Sequence, residues 1–390
     1  MHQTTAPATG ADLVQSYSHD LCVFIGRFQP FHAAHLNVVE AALQHGRFVL
    51  VLIGSAGAPR SHRNPFTYDE RADMIRLSVS EQQRERLTIL PLEDCYYNDT
   101  QWVANAQKQV NVALAQSGLR RRGAATIGLI GHGKDHTSYY LKLFPQWGTP
   151  IDVPEYCNGL SSTRIRNSYF SNLADSFLRD ADGHKPGDLP QDHLLPTPVR
   201  DFLVSFAQTA AFRDIREEYE FILHYRAQWA VPKVPYPVTF VTVDACVVTA
   251  GSVLLVRRKG RPGRGLWALP GGFLDQTETV VEGMLRELRE ETKIAVPPGM
   301  LRGSIVTQRV FDDPNRSSRG RTITHGFLIH LKNETALPGL RSRKPGKADL
   351  PRIEAADDAE KAQWWPLADI RREMMFEDHY DIILALTALI

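Results

Sequence analysis

Residues 21–55 read LCVFIGRFQPFHAAHLNVVEAALQHGRFVLVLIGS, and this stretch decides the fold of the first half of the chain. Two apolar runs, at 21–26 and 47–55, have the length and composition of buried parallel strands. Between them lies a segment with helical spacing of apolar residues, which ends at Gly46. A strand, a helix and a second strand in this order predict a βαβ unit, which binds ligands at the carboxyl ends of its strands.

The same alternation of strands and helices continues after residue 55. Further strand-like runs are LTILPLE at 87–93 and ATIGLIG at 125–131. Helical spacing of apolar residues marks RADMIRLSVSEQQ at 71–83 and WVANAQKQVNVALAQ at 102–116. This order of elements predicts an α/β fold, a Rossmann-like doubly wound domain with helices on both faces of a parallel sheet.

Composition narrows the classes of protein to which the chain could belong. Its 390 residues are enough for two or three domains, and a hydrophobic content of 43% is ordinary for a globular protein. The balance of 45 basic and 44 acidic residues predicts no nucleic-acid and no membrane partner, so anion binding must be local. The four cysteines form no CxxC pair, which argues against a zinc ribbon or a disulfide framework. Because neither a signal peptide nor a membrane-spanning stretch is visible, we expect a cytoplasmic protein.

The composition changes near residue 180, and this change divides the chain. RDADGHKPGDLPQDHLLPTPVRD at 179–201 is rich in Asp, Gly and Pro, which predicts a loop or linker. Residues 199–230 then have helical periodicity, and β-type runs follow residue 236, with a hairpin signal at Ala250-Gly251. The predicted parts are a tail at 1–19, a first domain at 20–180, a linker with connecting helices at 181–235, and an α+β domain at 236–390.

The second half contains a helix rich in carboxylates, within GGFLDQTETVVEGMLRELREETKI at 271–294. Thr279 and Glu282 form a capping box that opens this helix. Glu287, Glu290 and Glu291 follow at i, i+3 and i+4, so they share one helix face. Like charges at this spacing cost about 0.2–0.5 kcal/mol per exposed pair unless a cation neutralises them. Their hard oxygen donors suit Mg²⁺, with Mn²⁺ as an alternative, whereas a solvated acidic face is the competing interpretation.

This stretch resembles the Nudix box, the signature of hydrolases that cleave nucleoside diphosphates linked to another group. The matching positions are Gly272, Glu278, Arg286, Glu287, Glu290 and Glu291. The resemblance implies that Glu287, Glu290 and Glu291 bind the metal and that Arg286 orients a glutamate, with Arg286, Glu290 and Glu291 counted as catalytic. One position departs from the family pattern, because Lys293 stands where Gly usually ends the helix.

The segment GRFQPFHAAH at 26–35 places His32 and His35 at the start of a helix, after a turn containing Gly and Pro. Imidazoles there lie beside backbone N–H groups with partial positive charge, which favours phosphate binding. A zinc site would need a third ligand, and none is apparent at a sensible spacing. From these residues alone, a purely structural role remains an open alternative.

The same segment resembles the (H/T)xGH motif of the nucleotidyltransferase superfamily, and LSSTRIR at 160–166 resembles its second signature, ISSTxxR. With RNPFTYDER at 63–71 and GHGKDHTSYYLKLFPQW at 131–147, residues 21–170 resemble the archaeal type of nicotinamide mononucleotide (NMN) adenylyltransferase. The motif departs from the family at Ala34, where Gly is usual. We expect the extra methyl group to reduce the room for ATP without abolishing function.

The resemblance to these adenylyltransferases also assigns roles. His32 and His35 would bind the ATP phosphates and stabilise the transition state, and Arg166 would act with them. Trp102 and Asn98 would form the region that stacks on nicotinamide, with simple core packing as the lesser alternative for Trp102. The other predicted ATP- and NMN-binding residues are Gly26, Arg27, Phe28, Arg63, Lys134, Asp135, Ser161, Ser162 and Thr163.

The two signatures together resemble a bifunctional family in which NMN adenylyltransferase is fused to ADP-ribose pyrophosphatase. This resemblance implies that one site makes NAD from ATP and NMN, and that the other hydrolyses ADP-ribose to AMP and ribose 5-phosphate with a divalent metal. Two alternatives stay open: transfer to another phosphate, such as FMN or phosphopantetheine, with cleavage of another dinucleotide, or a Nudix half that only senses nucleotides. The sequence leaves a homo-oligomer open as well.

Overall fold

The fold is described from a computed structural model. It covers residues 17–119, 125–133, 140–156, 160–171, 194–229, 237–332, 350–356 and 359–390. Within these ranges, no helix combines the length and the apolarity that crossing a membrane requires.

The first domain is built on a parallel sheet of five strands. The strands are β1 His19–Gly26, β2 Gly46–Ile53, β3 Leu87–Pro91, β4 Ile127–Gly131 and β5 Ile151–Asp152. They lie in the order β3-β2-β1-β4-β5, and every adjacent pair is parallel. The helices are α1 Ala33–His45, α2 Tyr68–Leu77, α3 Glu81–Arg84, α4 Asp99–Gln116 and α5 Ser162–Phe170. Apolar clusters cover both faces of this sheet, so the predicted doubly wound architecture is confirmed.

Two segments predicted as single helices are each divided in two. The prediction for 71–83 was wrong because α2 ends at Leu77, and the Ser80 side chain accepts the N–H of Gln83 to open α3. The segment 199–230 divides into α6 Thr197–Phe206 and α7 Ala210–Trp229. Thr209 causes this break, since its hydroxyl accepts the N–H of Phe212 at 3.1 Å. Periodicity alone did not reveal either break.

The second domain is a mixed sheet packed between helices. Its strands are β6 Phe240–Thr249, β7 Ser252–Arg258, β8 Trp267–Ala268, β9 Gly271–Phe273, β10 Ile305–Phe311, β11 Thr322–His330 and β12 Ala359–Pro366. The main order is β10-β11-β6-β7-β12, with β8 paired to β7 and β9 paired to β6. The helices are α8 Val280–Thr292, α9 Pro298–Gly303 and α10 His379–Thr387. The predicted α+β class and the hairpin at Ala250-Gly251 are confirmed.

The helix α8 begins and ends where the sequence indicates. Thr279 and Glu282 form the predicted capping box. Lys293 ends the helix in the left-handed conformation, with φ 43° and ψ 35°, and its N–H donates to the Arg289 carbonyl at 3.0 Å. A lysine therefore takes the backbone conformation that Gly adopts most easily, and the helix end is preserved.

Buried ion pairs lie where the two domains meet. Arg316 of the second domain donates to both carboxylate oxygens of Asp378, at 2.9 and 3.0 Å. The Tyr97 hydroxyl of the first domain donates to the same carboxylate. The rings of Tyr97 and Phe311 also meet edge to face, with centroids 5.1 Å apart. The Asp378 carboxylate thus accepts hydrogen bonds from one residue of each domain.

Replacing Asp378 with Ala is expected to destabilise the whole chain. Arg316 would remain buried without its counter-ion, and breaking a buried pair in this way typically costs about 3–5 kcal/mol. Urea unfolding of the full chain, monitored by circular dichroism, measures this change. Asp214→Ala is the matched control, since Asp214 pairs with Arg261 but its side chain is 67% exposed, and its loss should cost about 1 kcal/mol or less. Equal effects of the two substitutions would contradict the importance of the buried pair.

Candidate active sites

The two histidines of the first motif lie at the carboxyl end of β1. His32 is the N-cap of α1, and its ring stacks on that of His35, with centroids 3.6 Å apart and planes at 19°. His32 is only 3% exposed. Below them Phe28 has a φ of 53° and folds its ring over Gly26, where a Cβ atom would lie 2.7 Å from the ring. Gly26 and Phe28 therefore shape the turn that presents the histidines, and direct ligand contacts for them stay a prediction.

The second motif contacts the first directly. Ser161 is the N-cap of α5, and the Ser162 hydroxyl donates to the Pro30 carbonyl at 3.1 Å. Arg166 donates to the Gln29 carbonyl at 2.7 Å and to the Thr163 hydroxyl at 3.1 Å. Two segments far apart in sequence thus form one site at the carboxyl edge of the sheet, next to the N-termini of two helices.

Positive charge is concentrated around Arg166. The pKa of Arg166 is lowered to about 10, chiefly by burial and also by the neighbouring charges of Arg27 and Arg63. Burial likewise lowers the pKa of His62 to about 3, assisted by Arg166, Arg63 and Arg226. Cations held together out of water are costly unless an anion joins them. The arrangement suits a polyanion such as a triphosphate.

Two of these cations also reach the second domain. Arg63 donates to the backbone carbonyls of Asn315 and, at 3.3 Å, Ser317. Arg226 of α7 donates to the carbonyl of Ser318 at 2.9 Å. The sequence motifs do not identify His62 or Arg226, and Arg226 lies on the connecting helix, outside both quoted motifs. No local pattern marks it, because only packing brings α7 to this place.

The structure describes some of the residues predicted to bind ATP or NMN. Asn98 is the N-cap of α4, where its side chain accepts the N–H of Gln101 at 3.0 Å. Trp102 is half-buried, with ring centroids 6.5 Å from Tyr140 and 6.0 Å from Phe144. These contacts are compatible with core packing, so stacking on nicotinamide stays a prediction. Lys134 and Asp135 lie outside the described residues.

Arg286 lies at the centre of the second candidate site. It donates to both oxygens of Glu278, at 2.7 and 3.0 Å, and to Glu287 and Glu290, each at 3.0 Å. The Phe273 carbonyl accepts a further hydrogen bond at 3.2 Å. One guanidinium therefore orients three glutamates of the motif.

Glu291 and Glu287 lie against the double glycine of β9. Glu291 is 8% exposed and accepts the N–H of Gly271 at 3.0 Å. The pKa of Glu291 is raised to about 8, chiefly by burial and also by the charge of Glu287. A Cβ atom on Gly272 would lie 2.4 Å from a carboxylate oxygen of Glu287. Only Gly allows the strand and this carboxylate to come so close.

The donor set fits a hard divalent cation. Carboxylate oxygens are the ligands that Mg²⁺ and Mn²⁺ prefer, and a cation would relieve the repulsion between Glu287 and Glu291. Among the residues that the structure describes, no three acidic or imidazole groups are already gathered at metal-binding spacing. Glu287 and Glu290 face Arg286 instead, so cation binding requires their carboxylates to turn.

Comparisons with known proteins agree with this division into two sites. Residues 23–168 match the family model Cytidylyltransferase-like, and residues 238–386 match the NUDIX domain model. A crystal structure of a bifunctional NMN adenylyltransferase/ADP ribose pyrophosphatase from Francisella tularensis, complexed with AMP and a Mn ion, is 33% identical. The similarity covers 95% of this chain and 99% of that one, with a TM-score of 0.78. The chain belongs to this bifunctional family.

Relatives of the single domains extend the comparison. A nicotinamide/nicotinic acid mononucleotide adenylyltransferase from Acinetobacter baylyi is 40% identical over 52% of this chain and 95% of its own length. An ADP-ribose pyrophosphatase from Methanocaldococcus jannaschii is 31% identical over 37% of this chain and 70% of its own length. Each half of this member of the bifunctional family thus has relatives of its own.

The substitution Gly272→Ala is expected to weaken divalent-cation binding. A carboxylate oxygen of Glu287 lies 2.4 Å from the position that the added methyl group would take. The methyl group would therefore displace this carboxylate. Titration with Mn²⁺ followed by electron paramagnetic resonance should show about tenfold weaker binding or more, in the range found when support for a metal ligand is lost. Gly260→Ala is the control, because nothing lies within 4 Å of its Cβ position. Unchanged Mn²⁺ affinity in Gly272→Ala would contradict a role for Glu287 as a ligand.

Proposed function

We propose that the chain is a bifunctional enzyme of NAD metabolism. The first domain transfers the adenylyl group of ATP to NMN, which yields NAD and pyrophosphate. The second domain hydrolyses ADP-ribose to AMP and ribose 5-phosphate. The observation that carries this proposal is the direct contact between the two motifs of the first domain, through Arg166 and Gln29, beside a full-length similarity to the bifunctional family.

The first reaction depends on positioning and on charge stabilisation. A phosphate oxygen of NMN forms a bond to the α-phosphorus of ATP, while the bond from that phosphorus to the bridging oxygen breaks and pyrophosphate leaves. His32, His35 and Arg166 stabilise the negative charge that develops on the phosphate oxygens. Arg27 and Arg63 add to the potential that attracts the triphosphate. The reaction requires no nucleophilic side chain.

The second reaction adds water across the diphosphate of ADP-ribose. Glu287, Glu290 and Glu291 would hold a divalent cation, which supplies neutralising charge and an activated water when bound. Arg286 hydrogen-bonds to Glu278, Glu287 and Glu290 and thereby keeps these three side chains close together beside the helix. We propose Mg²⁺ as the cation, with Mn²⁺ as a replacement, and a cytoplasmic location for both reactions.

A two-substrate assay of the full chain tests both activities. NMN with ATP should give NAD, and ADP-ribose should separately give AMP, each with Mg²⁺. FMN and phosphopantetheine replace NMN in parallel reactions, which tests the rival acceptors. Failure to form NAD from NMN and ATP would contradict the adenylyl-transfer function of the first domain. Failure to cleave ADP-ribose would favour the alternative in which the Nudix half only senses nucleotides.

Variants at each site should separate the two activities. Arg166→Gln should lower adenylyl transfer by about 10²–10³-fold, the usual effect of losing one transition-state donor. It should leave ADP-ribose hydrolysis intact, which also shows that the protein is folded. The double variant Glu290→Gln with Glu291→Gln should lose ADP-ribose hydrolysis and keep adenylyl transfer. If this double variant hydrolysed ADP-ribose at the normal rate, the assignment of these two glutamates would be wrong.

The substitution Ala34→Gly should lower the KM for ATP. It removes the methyl group next to His35 and restores the residue that the family usually has. Ala33→Gly is the matched control, because it removes the same methyl group one residue earlier in the first turn of α1. Steady-state kinetics with varied ATP compares the two variants. An equal KM for both would show that the methyl group of Ala34 does not restrict ATP binding.

A further inference from the structure

Three parts of the chain meet around the ring of His62, which belongs to neither motif of the first site. The ring of Tyr219 on α7 stacks on the His62 ring, with centroids 3.8 Å apart and planes at 10°. The ring of Phe170 on α5 meets the His62 ring edge to face, with centroids 5.9 Å apart. This aromatic stack therefore joins the connecting helix α7 to the helix that carries the second motif.

Each of the three rings has an arginine close to it on the same segment of chain. These arginines are Arg63 directly after His62, Arg166 one helical turn before Phe170, and Arg226 two turns after Tyr219. Residues four or seven positions apart share one face of a helix, so each helical arginine lies on the face that carries its ring. The charges of all three act on His62 and lower its pKa, although burial is the larger cause.

A loop of the second domain binds two of these arginines. Arg63 donates to the backbone carbonyls of Asn315 and, at 3.3 Å, Ser317. Arg226 donates through its Nε atom to the carbonyl of Ser318 at 2.9 Å. Successive carbonyls of one loop therefore hold the two side chains next to each other. Among the described residues, the two terminal nitrogens of Arg226 have no acceptor, and the side chain remains accessible to solvent.

Arg226 is the last member of a row of cations that begins at the carboxyl end of β1. The pKa of Arg166 is lowered chiefly by burial and then by the charges of Arg27 and Arg63. The pKa of Arg226 is lowered chiefly by its partial burial and then by the charge of Arg63. The row therefore runs from Arg27 through Arg166 and Arg63 to Arg226. Within the described part of the chain, none of the four has a carboxylate partner, so the row suits a linear polyanion.

We propose that Arg226 binds the pyrophosphate end of ATP during adenylyl transfer. The inference rests on the proposed first reaction and adds to it a residue of the connecting helix. His32 and His35 lie at the β1 end of the row, where the α-phosphorus would react. The other end, at Arg226, then faces the phosphates that leave.

The chemistry of the Arg226 side chain fits this role. A guanidinium group whose two terminal nitrogens both donate can bind a phosphate through two parallel hydrogen bonds. Arg226 lies outside residues 23–168, which match the Cytidylyltransferase-like model. The connecting helix thus completes the triphosphate site of this chain.

Steady-state kinetics of Arg226→Gln in the full chain test the proposal. The KM for ATP should rise about tenfold or more, because a hydrogen bond between charged groups is lost. The KM for NMN should stay within twofold. The Ki of inorganic pyrophosphate, used as an inhibitor against ATP, should rise by a similar factor to the KM for ATP. Arg226→Lys keeps the charge without the two parallel donors, so its values should lie between those of the wild type and Arg226→Gln.

Arg216→Gln is the matched control for Arg226→Gln. Arg216 lies ten residues earlier on α7, pairs with Glu220 at 3.2 Å, and its replacement changes the net charge equally. Thermal unfolding followed by circular dichroism reports on folding, and Arg226→Lys takes over the comparison if Arg226→Gln does not fold. A KM for ATP equal to that of Arg216→Gln would overturn the proposal. A parallel rise in the KM values for ATP and NMN would show a structural effect and would overturn it as well.

A direct binding measurement keeps this inference separate from the proposed activity. Inorganic pyrophosphate is titrated into the full chain by calorimetry without divalent cations, so that the glutamates of the second site do not attract the anion. Arg226→Gln should bind pyrophosphate about tenfold more weakly than the wild type, or weaker still. If NAD is not formed, the proposed function fails while this titration still decides whether Arg226 binds phosphate. Equal affinity of the two proteins, or no binding to either, would refute the assignment.

Discussion

Each of the two sites holds charges of one sign close together and partly out of water, and the rest of the structure is arranged around this constraint. In the first domain Arg166 is buried near Arg27 and Arg63, and in the second Glu291 is buried beside Glu287. Such groupings persist only where a scaffold enforces them and a ligand of opposite charge completes them. The Gln29 carbonyl and the Thr163 hydroxyl bind Arg166, and the Gly271 amide together with a close glycine turn holds the glutamates.

The same constraint explains why the domains are joined so closely. The loop at 315–318 gives backbone carbonyls to Arg63 and Arg226, which belong to the cationic site of the first domain. Arg316 in that loop is held by Asp378, and Asp378 also accepts the hydroxyl of Tyr97. The second domain therefore supplies acceptors to cations that would otherwise repel one another.

Local sequence rules predicted much of this architecture. The alternation of strands and helices gave the parallel sheet, and the capping box at Thr279 and Glu282 located the start of α8. Lys293 ended that helix in the conformation expected of Gly. The helix breaks at Ser80 and Thr209 were missed, since a single side chain that accepts a backbone N–H outweighs apolar periodicity there.

The sequence by itself determined the two motifs, their order and the residue types that each reaction needs. These depend on spacing along one strand or one helix, which the chain determines locally. Only the tertiary structure brought Gln29 to Arg166, Arg63 to the loop of the other domain, and Trp229 to Phe240 and Phe273. These contacts join residues far apart in the chain, and the packing of α7 decides the last of them. No periodicity or local motif encodes such a contact, because it depends on how whole elements pack.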